Sequence, residues 1–173
     1  MQKVKLPHQI DPVKSAAKRS DYVGVVATAD MDRLHNIVVS SDDYINANVQ
    51  FLKDQQGLTV FRGNLNVTVS LICQRCNNPF DYELDIEFCF SPVQGVEAIE
   101  VLPEAYEPVE VDEYGMVNLL QLFEDELIVS LPLVPRHAES DCPMSKSDMQ
   151  FGKLEPEHER PNPFAVLKEL KRD

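Results

Sequence analysis

Two cysteines at a CxxC spacing, Cys73-Gln-Arg-Cys76, stand where an alternating apolar run breaks into Asn77-Asn78-Pro79. Thiols so spaced can grip a metal, shuttle electrons, or sit in a turn as small buried hydrophobes. A tight turn between two strands makes the two sulfurs converge, as in a zinc knuckle, and tetrahedral zinc then takes two further ligands from elsewhere. Cys89 is badly placed to supply one: along a straight returning strand, at about 3.3 Å per residue, it lies roughly 40 Å away. His137 and Cys142, in PRHAESDCPMS, are better placed if the helix before them returns across a sheet to the hairpin tip. The expected centre is therefore Cys73, Cys76, His137 and Cys142 around a structural zinc, a closed site rather than a catalytic one. A CxxC thiol oxidoreductase stays as the alternative, although it calls for a thiol at a helix N-terminus and this pair sits between strands. GxGxxG, P-loop, GxSxG and HExxH motifs are absent and the four histidines are scattered, so the expected class is not an enzyme, with no small-molecule substrate.

The second chemistry is charge. Between Arg75 and Arg136 there is no Lys or Arg, while the interval holds fourteen acids, so it carries −14 against −13 for the whole chain. Asp81, Glu83, Asp85 and Glu87 recur at every second position and so share one face of a strand. Such a line of carboxylates is costly unless it faces water or a cationic partner. The first twenty residues have the opposite sign, with Lys3, Lys5, Lys14, Lys18 and Arg19 against Asp11 alone. This asymmetry attracts a cationic partner to one region and repels nucleic acid from it. A solvated acidic surface that keeps the chain soluble is the plainer alternative, and a generic acidic protein-binding adaptor is another.

The elements that must position these groups can be outlined from periodicity. With 173 residues, 43% apolar and 26% charged, the composition fits one soluble globular domain. No run is long enough to span a membrane, and MQKVKLPHQIDPVK lacks the apolar block of a secretory signal, which places the chain in the cytoplasm with reduced cysteines. Asp11-Pro12 starts a helix that runs to about Arg19, and a second short helix is predicted over about 30–37. From Tyr44 the period becomes two: Ile45, Ala47, Val49 and Phe51 alternate with Asn46, Asn48 and Gln50. After a turn at 54–57, a run at Leu58 and Val60 is separated from Leu65, Val67, Val69 and Leu71 by a predicted bulge or bend at Gly63-Asn64. Alternation resumes from Phe80 to Phe90. Residues 91–117 read as a long acidic loop, and Asn118 caps an apolar-faced helix that Pro132 ends. The expected fold is α+β: an antiparallel β-meander packed by helices, with a basic N-terminal arm on a single domain, 1–160. A short C-terminal helix is predicted from Phe164 to Arg172, in an appendage 161–173.

KLPHQIDP, CQRC, LPEAYEPVEVDEYG, NLLQLFEDELIVSLPLVPRH and the closing PNPFAVLKELK together resemble the YceD family nearly end to end. The resemblance implies a non-catalytic role in the synthesis, processing or accumulation of large-subunit (23S) ribosomal RNA, as a ribosome biogenesis factor. Many relatives carry two CxxC pairs; Cys73 and Cys76 match the first, and Cys142 with Ser145 the second, so a serine stands where zinc would want a sulfur unless His137 substitutes. No catalytic residue carries over. Joined to the charge pattern, the resemblance implies one or both of two partners in an assembly particle. One is a basic large-subunit ribosomal protein held by Asp81, Glu83, Asp85 and Glu87; the other is pre-rRNA touched by Lys14, Lys18 and Arg19, the closing helix, Arg62 and Arg75.

Overall fold

A computed structural model describes residues 4–144 and, beyond them, residues 148, 152 and 164. The closing helix predicted from Phe164, and Ser145, lie outside the described residues apart from Phe164 itself.

The elements follow in the order β1 (Gln9–Ile10), α1 (Pro12–Lys18), β2 (Asp21–Ala27), a 3₁₀ turn at Thr28–Asp30, α2 (Asp32–His35), β3 (Ser40–Ser41), β4 (Tyr44–Lys53), β5 (Thr59–Ile72), β6 (Pro79–Val93), α3 (Val96–Glu100), β7 (Glu107–Glu110), β8 (Val117–Asn118) and α4 (Leu119–Ser130). The main sheet runs β2-β4-β5-β6-β7, with β3 also paired to β5, and β1 pairs with β8. All these pairs are antiparallel except β6 with β7. The fold is thus α+β, built on a mostly antiparallel sheet.

Period-two patterning gives the sheet two unlike faces. Ile45, Val49, Phe51, Leu65, Val67, Leu84, Ile86 and Phe88 are buried on one face, under α4 and α2. Leu119, Phe123 and Leu127 of α4 meet them there, with the Phe123 and Phe88 rings 5.7 Å apart. The opposite face carries the polar half of each alternation and stays wet. Both longer helices start as their sequences dictate: the Asp11 carboxylate accepts from Lys14 N–H at 2.9 Å, and the Asn118 side chain accepts from Gln121 N–H at 3.2 Å.

Three expectations need correction. Gly63 does not break a strand: β5 is continuous, and Gly63 pairs with Val49 on one side and Phe88 on the other. A Cβ there would overlap the Asn48 carbonyl oxygen and come within 2.9 Å of the Phe88 ring, so glycine is needed for close approach rather than for a bend. Residues 21–27 form a strand that the alternation did not predict, because both Val25 and Val26 are buried. Its outer edge is covered by the arm, where Leu6 N–H donates to Val25 O at 3.1 Å and Val25 N–H to Val4 O at 2.8 Å. The acidic stretch 91–117 is not all loop, since it contains α3 and the edge strand β7. Among the described residues, no helix is long and apolar enough to cross a membrane.

Candidate metal centre

The β5–β6 hairpin closes through a tight turn. Cys73 N–H donates to Asn78 O at 2.9 Å, Asn77 N–H to Cys73 O at 2.8 Å, and Asn77 takes the left-handed conformation with φ 61°. Asparagine tolerates that region better than most residues. The segment after α4 then crosses to this tip. Gln74 N–H donates to Pro135 O at 2.9 Å, and the Arg75 guanidinium to His137 O at 3.2 Å. The His137 ring packs on the Phe80 ring with centroids 4.8 Å apart and planes tilted by 37°. Cys142 N–H donates to Ala138 O at 3.2 Å, turning the chain back toward the same point.

As a result Cys73, Cys76, His137 and Cys142 meet, with their four ligand atoms all within 4.8 Å of one another. Cys76 Sγ and His137 Nδ1 are 3.4 Å apart. Ligands on a tetrahedral zinc, at about 2.3 Å for sulfur and 2.0 Å for nitrogen, would stand roughly 3.5–3.8 Å from each other. The donor set therefore fits zinc after a contraction of about 1 Å at its widest, and its four protein ligands leave no open position.

The thiol electrostatics agree with that fit. Burial pushes the Cys73 thiol up, but the N–H groups of His137, Cys76 and Arg75 aimed at its sulfur outweigh burial and bring it down to about 5. Cys76 moves the other way: burial raises it, and so do its sulfur neighbours Cys73 and Cys142. Sulfurs this close resist ionising together unless a cation sits among them. Cys89 stands apart, at the other end of β6 opposite Arg62.

The four acids of β6 are all exposed, on the wet face of the sheet. They stand opposite uncharged partners, Asp81 across from Ser70, Glu83 from Thr68, Asp85 from Asn66 and Glu87 from Asn64. Where residues 104–107 lie over this face they form an open groove of about 710 Å³, lined by Asp85, Glu87, Glu104 and Glu107 with Arg62 and Asn48. Of the basic trio, Lys14 is bonded to Asp11 at 2.8 Å, and Lys18 and Arg19 are exposed at the end of α1. That helix packs through Ala16 into the core on the opposite side of the sheet.

One acid of the negative segment has another role, which its sequence position gave no reason to expect. Glu124 is 7% exposed, and its carboxylate accepts from Arg33 N–H at 2.8 Å, Leu34 N–H at 3.1 Å and the Arg33 guanidinium at 2.8 Å. Burial raises its pKa, but these donors win and hold it below the ordinary glutamate value.

A family profile described as large ribosomal RNA subunit accumulation protein YceD matches residues 61–171. A protein of Haemophilus influenzae named large ribosomal RNA subunit accumulation protein YceD is 45% identical over 172 residues, 99% of each chain. No solved structure matches the chain.

Proposed function

The chain belongs to the YceD family of large ribosomal RNA subunit accumulation proteins, and from that premise we propose that it supports large-subunit rRNA accumulation as a non-catalytic, cytoplasmic binding factor. The similarity to the Haemophilus protein along 99% of both chains carries the reading. The charge layout supports its finer parts. The carboxylate row Asp81, Glu83, Asp85 and Glu87 is exposed on one face of the sheet. It is the surface for a basic large-subunit ribosomal protein, because Arg62 stands there among Asp85, Glu87, Glu104 and Glu107 and the face as a whole repels phosphates, so Arg62 is set on the acidic side and not with the pre-rRNA contacts. Lys14, Lys18 and Arg19 lie on the helical side and contact pre-rRNA.

Cys73, Cys76, His137 and Cys142 hold a structural zinc that ties the chain after α4 to the hairpin tip. Bound there, the metal supplies cross-linking rather than Lewis-acid chemistry, since the protein fills every position. One observation favours the thiol oxidoreductase alternative, the depressed Cys73 thiol. Against it, Cys73 is fully buried, and a reactive thiol must be reached.

The test is fractionation of cell lysate on sucrose gradients at low and moderate salt, together with the ratio of large- to small-subunit rRNA in cells depleted of the protein. Co-migration with immature large-subunit particles, lost as salt rises, and a fallen ratio restored by the wild-type chain are expected. An unchanged rRNA ratio on depletion would sink the proposal.

A further inference from the structure

The groove over the carboxylate row has one wall that the long strands do not supply. Glu104, Ala105 and Glu107 line it together with Asp85, Glu87 and Arg62. Glu107 opens β7, but residues 101–106 belong to no strand. Four carboxylates around a single guanidinium repel one another, so charge alone pushes this wall away from the sheet. Something must hold it there.

Two bonds of Tyr106 do so. Its N–H donates to Pro103 O at 3.0 Å and closes a turn over 103–106. Its hydroxyl donates to Asp54 Oδ2 at 3.1 Å, fifty-two residues away in sequence. Asp54 is a fixed anchor, because its other oxygen, Oδ1, accepts from Gln56 N–H and Leu58 N–H, both at 2.8 Å, in the turn between β4 and β5. Among the described residues, no other side chain of 101–107 makes a hydrogen bond or an ion pair. The Tyr106 phenol also feels Cys89 and Arg62, both of which line the groove, so the bond lies at the groove's end. The Asp54 carboxylate raises that phenol above its ordinary 10.0, so the hydroxyl keeps its proton at neutral pH. Between the two acidic walls, Asn48, Gln50 and Asn64 present amides, which donate to and accept from a peptide backbone.

We propose that Tyr106 and Asp54 are positioning residues for the basic-partner surface: their hydrogen bond latches the strap 103–107 over the wet face and sets Glu104 and Glu107 beside Asp85 and Glu87, making a channel for an extended lysine- or arginine-rich segment. The latch rests on the assignment of the carboxylate row to a basic protein. It adds to that assignment the residues that build the second wall and the form of partner the channel takes.

Binding of a fluorescein-labelled oligo-lysine peptide to the full chain at low salt, followed by anisotropy, tests this in a double-mutant cycle. Tyr106→Phe keeps the ring and removes only the hydroxyl. It should weaken binding at least about twofold, the factor for two exposed ion pairs at the bottom of their range. In a chain already carrying Glu104→Gln and Glu107→Gln, the same change should have no effect, because the latch acts through those two carboxylates. Amide exchange at 104–107 should quicken in Tyr106→Phe while that of β4 and β5 stays as it was. Equal losses of binding in both backgrounds, no loss in either, or unaltered exchange at 104–107 would overturn the latch and leave the basic-partner surface standing. A wild-type chain that does not bind the peptide would overturn that surface, and the latch with it.

Discussion

Glu124 offers a stability prediction that can be worked through from its contacts. The helix α2 has four residues and no side-chain cap of its own, because Met31 occupies the N-cap position. Its first-turn N–H groups, on Arg33 and Leu34, are satisfied instead by a carboxylate from α4, ninety-one and ninety residues away in sequence. Replacing Glu124 with Ala leaves both donors without that acceptor. An unsatisfied buried donor costs about 1–3 kcal/mol. The Arg33 side chain, 49% exposed, regains water, so its ion pair adds only about 0–1 kcal/mol. The sum for Glu124→Ala is about 3 kcal/mol. Glu124→Gln keeps one acceptor oxygen and should cost about 1 kcal/mol. The pH dependence has a definite sign: the folded-state pKa lies below the ordinary 4.5, so the carboxylate's contribution is complete above that value and fades as pH falls through the folded-state one. Urea unfolding of wild type, Glu124→Ala and Glu124→Gln at pH 7 and at pH 3.5 measures all of this. The midpoints should fall with unchanged m-values. The gap between wild type and Glu124→Gln should shrink at the lower pH. An Ala variant within about 0.5 kcal/mol of wild type, the scatter of neutral surface changes, or a gap that widens in acid, would refute the capping argument.

Further outcomes follow from the two candidate surfaces and from the sheet. Protein purified without chelator should carry about one zinc per chain, and Cys76→Ser or His137→Ala should lose it, as read by metal analysis. Iodoacetamide labelling of Cys73 and Cys76 should be slow in the metal-loaded chain and rise after chelation; rapid labelling with zinc retained would favour the redox alternative. Converting Asp81, Glu83, Asp85 and Glu87 together to their amides should weaken capture of basic ribosomal proteins by at least about 4-fold, taking exposed ion pairs at about 0.2–1 kcal/mol each. The same variant should unfold at nearly the wild-type urea concentration, because all four side chains are exposed. Gly63→Ala forces β4 and β5 apart against the Phe88 ring and should cost about 1–3 kcal/mol, seen as a lower melting temperature.

Much of the frame was legible because period and burial coincide there. Residues 45–51 and 80–90 alternate strictly, and both strands pack one face only, so local pattern and tertiary role agree. Gly63 misled for a physical reason: glycine in a strand has two uses, bending and close approach, and only the position of Asn48 and Phe88 distinguishes them. Residues 21–27 carry no alternation to read, since Val25 is buried although it lies on the wet side of the register, while the arm covers that edge. At the centre, Cys73 and Cys76 form a local signal. Cys142 and His137 join them only through the path of α4, which a prediction of helix length and end makes plausible without locating the chain beyond it. The Glu124–Arg33 pairing had no signal at all, because nothing in a glutamate's neighbours on α4 tells which distant N–H groups it will meet.

The net charge takes on a direction once each acid is placed. Of the fourteen, Glu124 is taken up by α2, Asp125 pairs with Arg33, and Asp112 accepts the N–H groups of Tyr114 and Met116 in its own turn. Those carboxylates serve the fold. The β6 row is different, since its partners across the strand pair are Ser, Thr and Asn, and among the described residues its side-chain bond is the one Glu83 accepts from Asn66 at 3.2 Å. If solubility alone were at stake, interspersed cations would serve equally and would avoid the repulsion that Glu104 and Glu107 add beside Asp85 and Glu87. The cost of that repulsion is offset when a cationic surface arrives, and the same long-range field speeds the arrival. Because α1 sits on the other side of the sheet, its lysines do not neutralise the row. Two partners of opposite charge can therefore dock without competing for one face. Both contacts should then weaken together as salt rises and the Debye length falls below about 8 Å. A partner held by apolar contacts would instead be indifferent to salt over that range.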